Sequence, residues 1–268
     1  MPSILITGVS SGLGRALALR AHAAGWQVSG TTRENTTAEE SGLPAGFTVY
    51  RFEPHFPHAV SAFAQRVLAD SGAPDVLVHN PGSVLHGPLE EASAEELRDL
   101  FQMNVLAAVE LTTALLPAMR QRGSGTIVNV SSVGGRFPLP FFTASNATQH
   151  ALEALSEGLW HELKPFGIRV KVIELGLVEA AAEISLPHAE PAGPYAPYLS
   201  AMDAFLEGAT KRTSPEDAAD EVWAAIMDPS SRLRYPVGAY ARRLLRARAL
   251  FGGAFMRFMH GRWMRSSD

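Results

Sequence analysis

Short apolar runs alternate with longer amphipathic stretches along the chain. The runs at Ser3–Thr7, Gln27–Thr31, Thr48–Phe52, Asp75–His79, Thr126–Ser131 and Arg169–Glu174 read as strands. Several are continuous, as in Ile4-Leu5-Ile6 and Val76-Leu77-Val78, which is the pattern of parallel strands covered on both faces. Apolar residues at helical spacing fill the intervals Leu13–Ala24, Ala59–Asp70, Glu95–Arg122 and Ala147–Phe166. Repeated strand–helix units imply right-handed crossovers, and hence an α/β fold: a Rossmann-type, doubly wound parallel sheet in a single domain over 1–268. Ligands of such sheets sit beyond the carboxyl ends of the strands, so the residues that follow each strand carry the chemistry.

Two regions break the rhythm. Residues 176–214 hold Pro187, Pro191, Pro194 and Pro197 with Gly193 and Gly208, an irregular insertion at the ligand edge that reads as a substrate lid. From Arg232 onward arginines recur with no acid until Asp268, interleaved with Leu244, Leu245, Leu250, Phe251, Phe255, Met256, Phe258, Met259 and Trp263. This basic segment, 232–268, reads as a helix that packs on the domain or covers a substrate pocket. The same pattern also fits a weak membrane-surface or partner contact.

Composition narrows the class. At 268 residues, 46% hydrophobic and 19% charged, the chain has ample core for a soluble globular protein. A net charge of −4 gives no reason to expect a nucleic-acid partner. The absence of cysteine excludes disulfides, thiol nucleophiles and thiolate metal sites. His55 and His58 are spaced like metal ligands but lack a third partner, so no metal is expected. No apolar run approaches the roughly 20 residues of a membrane span. The first apolar run enters a glycine loop at once instead of forming a signal peptide, and a cytoplasmic protein is expected.

That loop is Thr7-Gly8-Val9-Ser10-Ser11-Gly12-Leu13-Gly14. It follows a strand and opens a helix, whose free N–H groups and partial positive charge suit a diphosphate. Gly8, Gly12 and Gly14 let the backbone turn sharply and approach the ligand, beside Ser10 and Leu13. With its Gly-x-x-x-Gly-x-Gly spacing, the loop resembles that of the short-chain dehydrogenase/reductase family. Further stretches resemble the family in order: His79-Asn80-Pro81-Gly82, Met103-Asn104-Val105, Ile127 to Ser132, Ala151 to Glu157, and Arg169 to Gly176. Gly-Pro-Leu-Glu-Glu after His86 and Arg234-Tyr235-Pro236-Val237-Gly238 look most like its steroid- and retinol-dehydrogenase branch.

The resemblance implies a nicotinamide dinucleotide held by the loop, by Asn80 and Gly82, and by Gly176. After the second strand a carboxylate would select NAD(H) and a cation NADP(H). Thr32 stands at that place with Arg33 behind it, which favours NADP(H), with NAD(H) as the alternative. Glu53, after the third strand, takes the position of the family's adenine-side Asp.

The family's reaction uses Asn, Ser, Tyr and Lys: Tyr moves the proton and Lys lowers the Tyr pKa. Asn104 and Ser132 match. The Tyr and Lys positions fall on Ser145 and Gln149. An alternative register sets Phe142 to Asn146 on Tyr-x-Ala-Ser-Lys but puts Ala151-Leu152-Glu153 out of step. In either register the pair is missing, because no Tyr lies between Tyr50 and Tyr195 and no Lys before Lys164. Neutral Gln149 can hydrogen-bond a ribose hydroxyl but cannot lower a neighbour's pKa by charge. Pro81, Leu175 and Ala180 also depart from the family near the nicotinamide end. His86 and Glu179 are each either a replacement acid/base or an ordinary loop residue. Phe137, Leu139, Phe141 and Phe142 either line an apolar pocket or fill core.

The expected function is therefore an NADP(H)-binding protein with an altered tetrad, acting on a small apolar carbonyl-containing or polyketide-like substrate without Tyr/Lys hydride chemistry. Carbonyl reduction with a substitute proton donor and a non-catalytic partner subunit are the alternatives. The long helices Glu95–Arg122 and Ala147–Phe166 resemble those that pair subunits in this family, implying a homodimer or homotetramer.

Overall fold

Seven parallel strands form the central sheet in the computed structural model, which describes residues 1–33, 38, 42–56, 58–179, 183–185, 193–208 and 212–263. They are β1 (Ser3–Ile6), β2 (Gln27–Thr32), β3 (Thr48–Arg51), β4 (Val76–His79), β6 (Gly125–Ser132), β7 (Ile168–Leu175) and β9 (Arg234–Val237). Their spatial order is β3-β2-β1-β4-β6-β7-β9. The chain winds outward from β1 in both directions, so the order reverses beside β1 and leaves a crevice at the carboxyl edge. A separate two-stranded parallel ribbon pairs β5 (Ser83–Leu85) with β8 (Glu183–Ser185).

Helices cover both faces of the large sheet. One face carries α1 (Gly12–Ala23) and α7 (Pro215–Met227), whose Leu17, Ala218 and Val222 pack on Ile4, Ile6 and Val78. The other carries α2 (Ala59–Ser71), α3 (Ala94–Phe101), α4 (Ala107–Arg122) and α5 (Thr143–Leu163). The alternation Ile4, Leu5, Ile6 splits between them: Leu5 meets Val60, Phe63 and Leu111 on the second face. Helices α3 and α4 are joined without a break by a π turn over Gln102–Leu106. This run, Ala94–Arg122, is the one described helix long and apolar enough to cross a membrane by composition, and its Leu111, Leu115 and Met119 are fully buried against the domain.

Helices α6 and α8 form a third core at the carboxyl edge. Met202 of α6 (Ala196–Glu207) and Ala241, Leu244 and Met259 of α8 (Ala239–Trp263) pack on Val133, Phe137 and Phe141, which follow β6. Helix α8 is broken at Gly252, whose φ of 50° and ψ of −125° are not helical. Of the basic segment 232–268, Arg234–Val237 is strand β9, Ala239–Trp263 packs on the domain as α8, and 264–268 fall outside the described residues. Of the irregular stretch 176–214, Pro187, Pro191 and Ala180 fall outside the described residues, while its second half is α6.

Two buried carboxylates lie under α8. Glu153 of α5 and Glu174 of β7 are each about 5% exposed and share two arginines. Arg234 Nε donates to Glu153 at 2.9 Å and Arg136 Nη1 to Glu174 at 3.1 Å. Burial pushes both carboxyl pKa values up, for Glu174 with help from the charge of Glu153, while the arginines oppose the shift. A carboxyl raised in the folded state opposes folding increasingly as pH climbs past its unfolded value. Arg234→Ala is therefore expected to cost about 3 kcal/mol near neutrality, since it leaves a buried charge uncompensated. The loss, measured by denaturant melts, should be smaller at pH 5 than at pH 8, and equal losses at both would refute this account of the cluster.

Candidate active site

The glycine loop is stitched to its neighbours by backbone and threonine hydroxyls. Gly8 N donates to Thr31 Oγ1 at 3.0 Å and Val9 N to Thr31 O at 2.9 Å, tying the loop to β2. Asn80 N donates to Thr7 Oγ1 at 2.9 Å, tying it to the end of β4. Gly8 has a φ of 73°, which its sharp turn requires. A Cβ on Gly14 would lie 1.9 Å from Gly8 O, so only glycine lets α1 start this close to the loop. The first turn of α1 contains no acid, and Ser11 at its N-cap makes no side-chain cap bond. Its N–H groups face the crevice as an anion cradle.

A cleft of about 440 Å³ opens over this cradle. Gly8, Ser10, Leu13, Asn80, Gly82 and Asn104 line it, with Arg33 at the β2 end and Phe52 and Pro54 at the β3 end. Most of the expected nucleotide residues are thus brought together. Glu53 is not: it turns to Arg51, whose Nε donates to it at 2.6 Å. Gly12, at φ 54°, starts the helix, and Gly176 lies against α8, where a Cβ would come 3.1 Å from Ala241 N. The close packing at Gly14 and the open helix end fit a dinucleotide diphosphate.

Of the residues expected at the reaction end, Asn104 reaches the cleft, while Ser132, Ser145, Gln149 and His86 are not part of its lining and gather around the start of α5. Ser145 is buried, and its hydroxyl is engaged both ways with one residue of β5: Leu85 N donates to it at 2.8 Å and it donates to Leu85 O at 3.0 Å. Asn104 Nδ2 donates to Ser83 O at 2.9 Å and to Thr148 Oγ1 at 3.1 Å, and Gly87 N donates to Phe141 O at 2.7 Å. Phe141 holds a left-handed φ of 63° to make that last bond. The segment 83–87 is therefore pinned at three points. Ser132 Oγ accepts from Gly134 N at 2.9 Å. The Oδ1 of Asn104 and the Oε1 of Gln149 are buried and unpartnered among the described residues, the state expected of groups that await a ligand donor.

His86 sits just past β5. It is 6% exposed, stacks on Phe142 at 4.3 Å between ring centres, and places Nε2 3.5 Å from Asp203 Oδ1 of α6. Burial lowers its pKa, and the Asp203 charge partly offsets this. Phe137, Leu139, Phe141 and Phe142 all join the core beneath α6 and α8. Glu179 is exposed at a bend whose N–H donates to Thr213 O at 3.0 Å. His55 stands 3.7 Å from Asp99 on the surface. Thr31 and Asp203 belong to the site but were missed from the sequence. Thr31 was legible as a hydroxyl closing an apolar strand, whereas the approach of Asp203 is purely tertiary.

A parallel sheet whose order reverses beside a glycine-closed helix start defines a Rossmann-type dinucleotide-binding protein. The chain belongs to the short chain dehydrogenase family, whose model matches residues 2–191. Rat estradiol 17-beta-dehydrogenase 1 is 32% identical over 249 residues, 87% of this chain and 72% of the relative. The crystal structure of a short-chain dehydrogenase from Streptomyces avermitilis is 35% identical with a TM-score of 0.85, covering 98% of this chain and 95% of that one. A metagenomic short-chain oxidoreductase solved in complex with NADP is 27% identical, with a TM-score of 0.68 over 88% of this chain and 96% of that one.

His79, which lines the cleft, gives the site a pH signature. It is fully buried with Nε2 2.8 Å from Thr112 Oγ1, and burial lowers its pKa to about 3. Between its unfolded value of 6.5 and about 3, the unfolded chain takes up a proton that the folded chain refuses. Stability from this group is therefore present above pH 6.5 and lost as pH falls, by about 1.4 kcal/mol per pH unit at most. Melts of wild type and His79→Asn at pH 7, 6 and 5 should show the wild type losing more with each step. Parallel losses would place the imidazole in a solvated environment.

Proposed function

We propose that this protein binds NADP(H) and acts on an apolar, carbonyl-containing or polyketide-like substrate without the Tyr/Lys hydride chemistry of its family. The observation that carries this reading is the state of Ser145. At the Tyr position stands a hydroxyl already closed on Leu85 N and O, and at the Lys position stands neutral Gln149. Neither supplies a phenol proton or a charge to lower its pKa. Hydride exchange is the chemistry a bound nicotinamide ring would supply, and it is the step this reading leaves unused. Ser132 keeps its proton to donate to a substrate oxygen, since its Oγ only accepts from Gly134 N. Gln149 of α5, with its buried and unpartnered Oε1, is the group we assign to accept from a ribose hydroxyl. Phe137 and Phe141 fill core, and the half-buried Leu139 and Phe142 beside them are the apolar surface this reading offers a substrate. The NADP complex of a 27% identical relative and the position of Arg33 support the phosphorylated cofactor.

A second reading rests on His86: held beside Asp203 near the substrate end, it supplies the proton for NADP-dependent carbonyl reduction. A fluorescence titration tests the shared part. NADPH should bind more tightly than NADH, and Arg33→Ala should weaken NADPH binding about tenfold or more, the worth of one charge-assisted hydrogen bond, while leaving NADH unchanged. Failure to bind either nucleotide overturns both readings. With a panel of apolar ketones, the wild type should leave the nicotinamide absorbance constant. Steady oxidation that His86→Gln abolishes would reject the first reading and select the second. Ser145→Tyr combined with Gln149→Lys restores a phenol and an ammonium one helical turn apart, and should switch on oxidation of NADPH. A folded, nucleotide-binding double variant that gains nothing would show that the pinned segment 83–87 also bars the substrate.

A further inference from the structure

The outer side of α8 is at odds with its inner side. Ala241, Leu244 and Met259 are buried in the third core, yet Leu250, Phe251 and Phe258 are 76%, 64% and 66% exposed. These three large apolar side chains flank the Gly252 kink, where the two arms of the helix meet and nothing lies within 4 Å of a Cβ built on that glycine. Arg243, Arg246 and Arg257 are exposed on the same helix, and no ion pair holds them among the described residues. Arg242, by contrast, donates to Glu221 at 2.6 Å, and Arg248 lies 5.7 Å over the Phe137 ring. The imbalance extends through the sequence. No acid lies between Asp228 and Asp268, although the whole chain carries a net charge of −4.

We infer that α8 docks this protein on an anionic membrane surface, with Leu250, Phe251 and Phe258 entering the headgroup–acyl boundary and Arg243, Arg246 and Arg257 meeting lipid phosphates. An interfacial helix needs a protruding apolar patch, cations beside it and no acids, and α8 has all three. A second copy of the chain fits the face poorly. A two-fold contact would pair this face with itself, and α8 offers no carboxylate to receive these arginines. Docking holds whatever reaction the cleft supports. It would also bring the apolar core beneath α6 and α8 to the lipid side.

Co-sedimentation of the full chain with vesicles tests this. Vesicles of equimolar phosphatidylcholine and phosphatidylglycerol should carry the protein down, and phosphatidylcholine alone should not. Raised salt should weaken the binding. Replacing Arg243, Arg246 and Arg257 together by alanine should reduce partitioning about a hundredfold, at roughly fivefold per arginine. Leu250→Ser with Phe251→Ser and Phe258→Ser should abolish it. Both triple variants change only exposed side chains and should keep the wild-type circular dichroism and melting temperature. No sedimentation of the wild type with the anionic vesicles overturns the inference. So does sedimentation that both variants retain, or light-scattering evidence of self-association that the serine variant abolishes while vesicles bind nothing.

Discussion

The separation between Gly14 and the Gly8 carbonyl sets the geometry of the nucleotide site. With a Cβ on Gly14 only 1.9 Å from that oxygen, any side chain would push α1 off the loop. Seated as it is, the helix directs its uncapped first turn at the crevice beside β1, the place where the order of the parallel sheet reverses. Thr31 from β2 and Asn80, just after β4, then hold the loop from both sides. The strands supply the platform, and the glycine contact decides where on it an anion is received.

The other end of the crevice obeys a different constraint. There the backbone of 83–87 is held against α5 by Asn104, by Ser145 and by the Phe141 carbonyl. A serine is short enough to bridge the N–H and carbonyl of Leu85 at once, so the Ser145 hydroxyl has a positioning part within the fold. The left-handed backbone of Phe141 is tolerated because Gly87 N and the surrounding aromatic core fix it. The contrast is between an open, anion-ready half and a half whose polar groups are largely spoken for. The proposal of retained nucleotide binding with altered chemistry rests on that contrast.

Much of the fold was legible in the sequence, because burial on both faces writes parallel strands as continuous apolar runs. All six strands expected were found, with β2 one residue longer, β6 and β7 extended by one at both ends, and β1, β3 and β4 each one residue shorter. β9 was missed as a strand, since an edge strand of Arg, Tyr, Pro and Val has neither a continuous run nor a clean alternation. β5 and β8 were missed because three-residue strands leave no periodicity. The glycine loop was readable from its spacing, Arg33 from its place after the second strand, and Asn80, Gly82 and Asn104 from the family resemblance. The engagement of Ser145 was not, because its partner is a backbone 60 residues away. Nor was the approach of Asp203 to His86, which depends on how α6 folds back.

The central claim is that the glycine-closed end of α1 is a working nucleotide site. Thermal unfolding with and without NADPH, on wild type and Gly14→Ala together, tests it most directly. A ligand that binds only the folded state raises its melting temperature by mass action. The account predicts a rise with NADPH for the wild type, and none for a folded Gly14→Ala protein. A wild type whose melting temperature ignores NADPH, or a Gly14→Ala variant that responds as the wild type does, would contradict it.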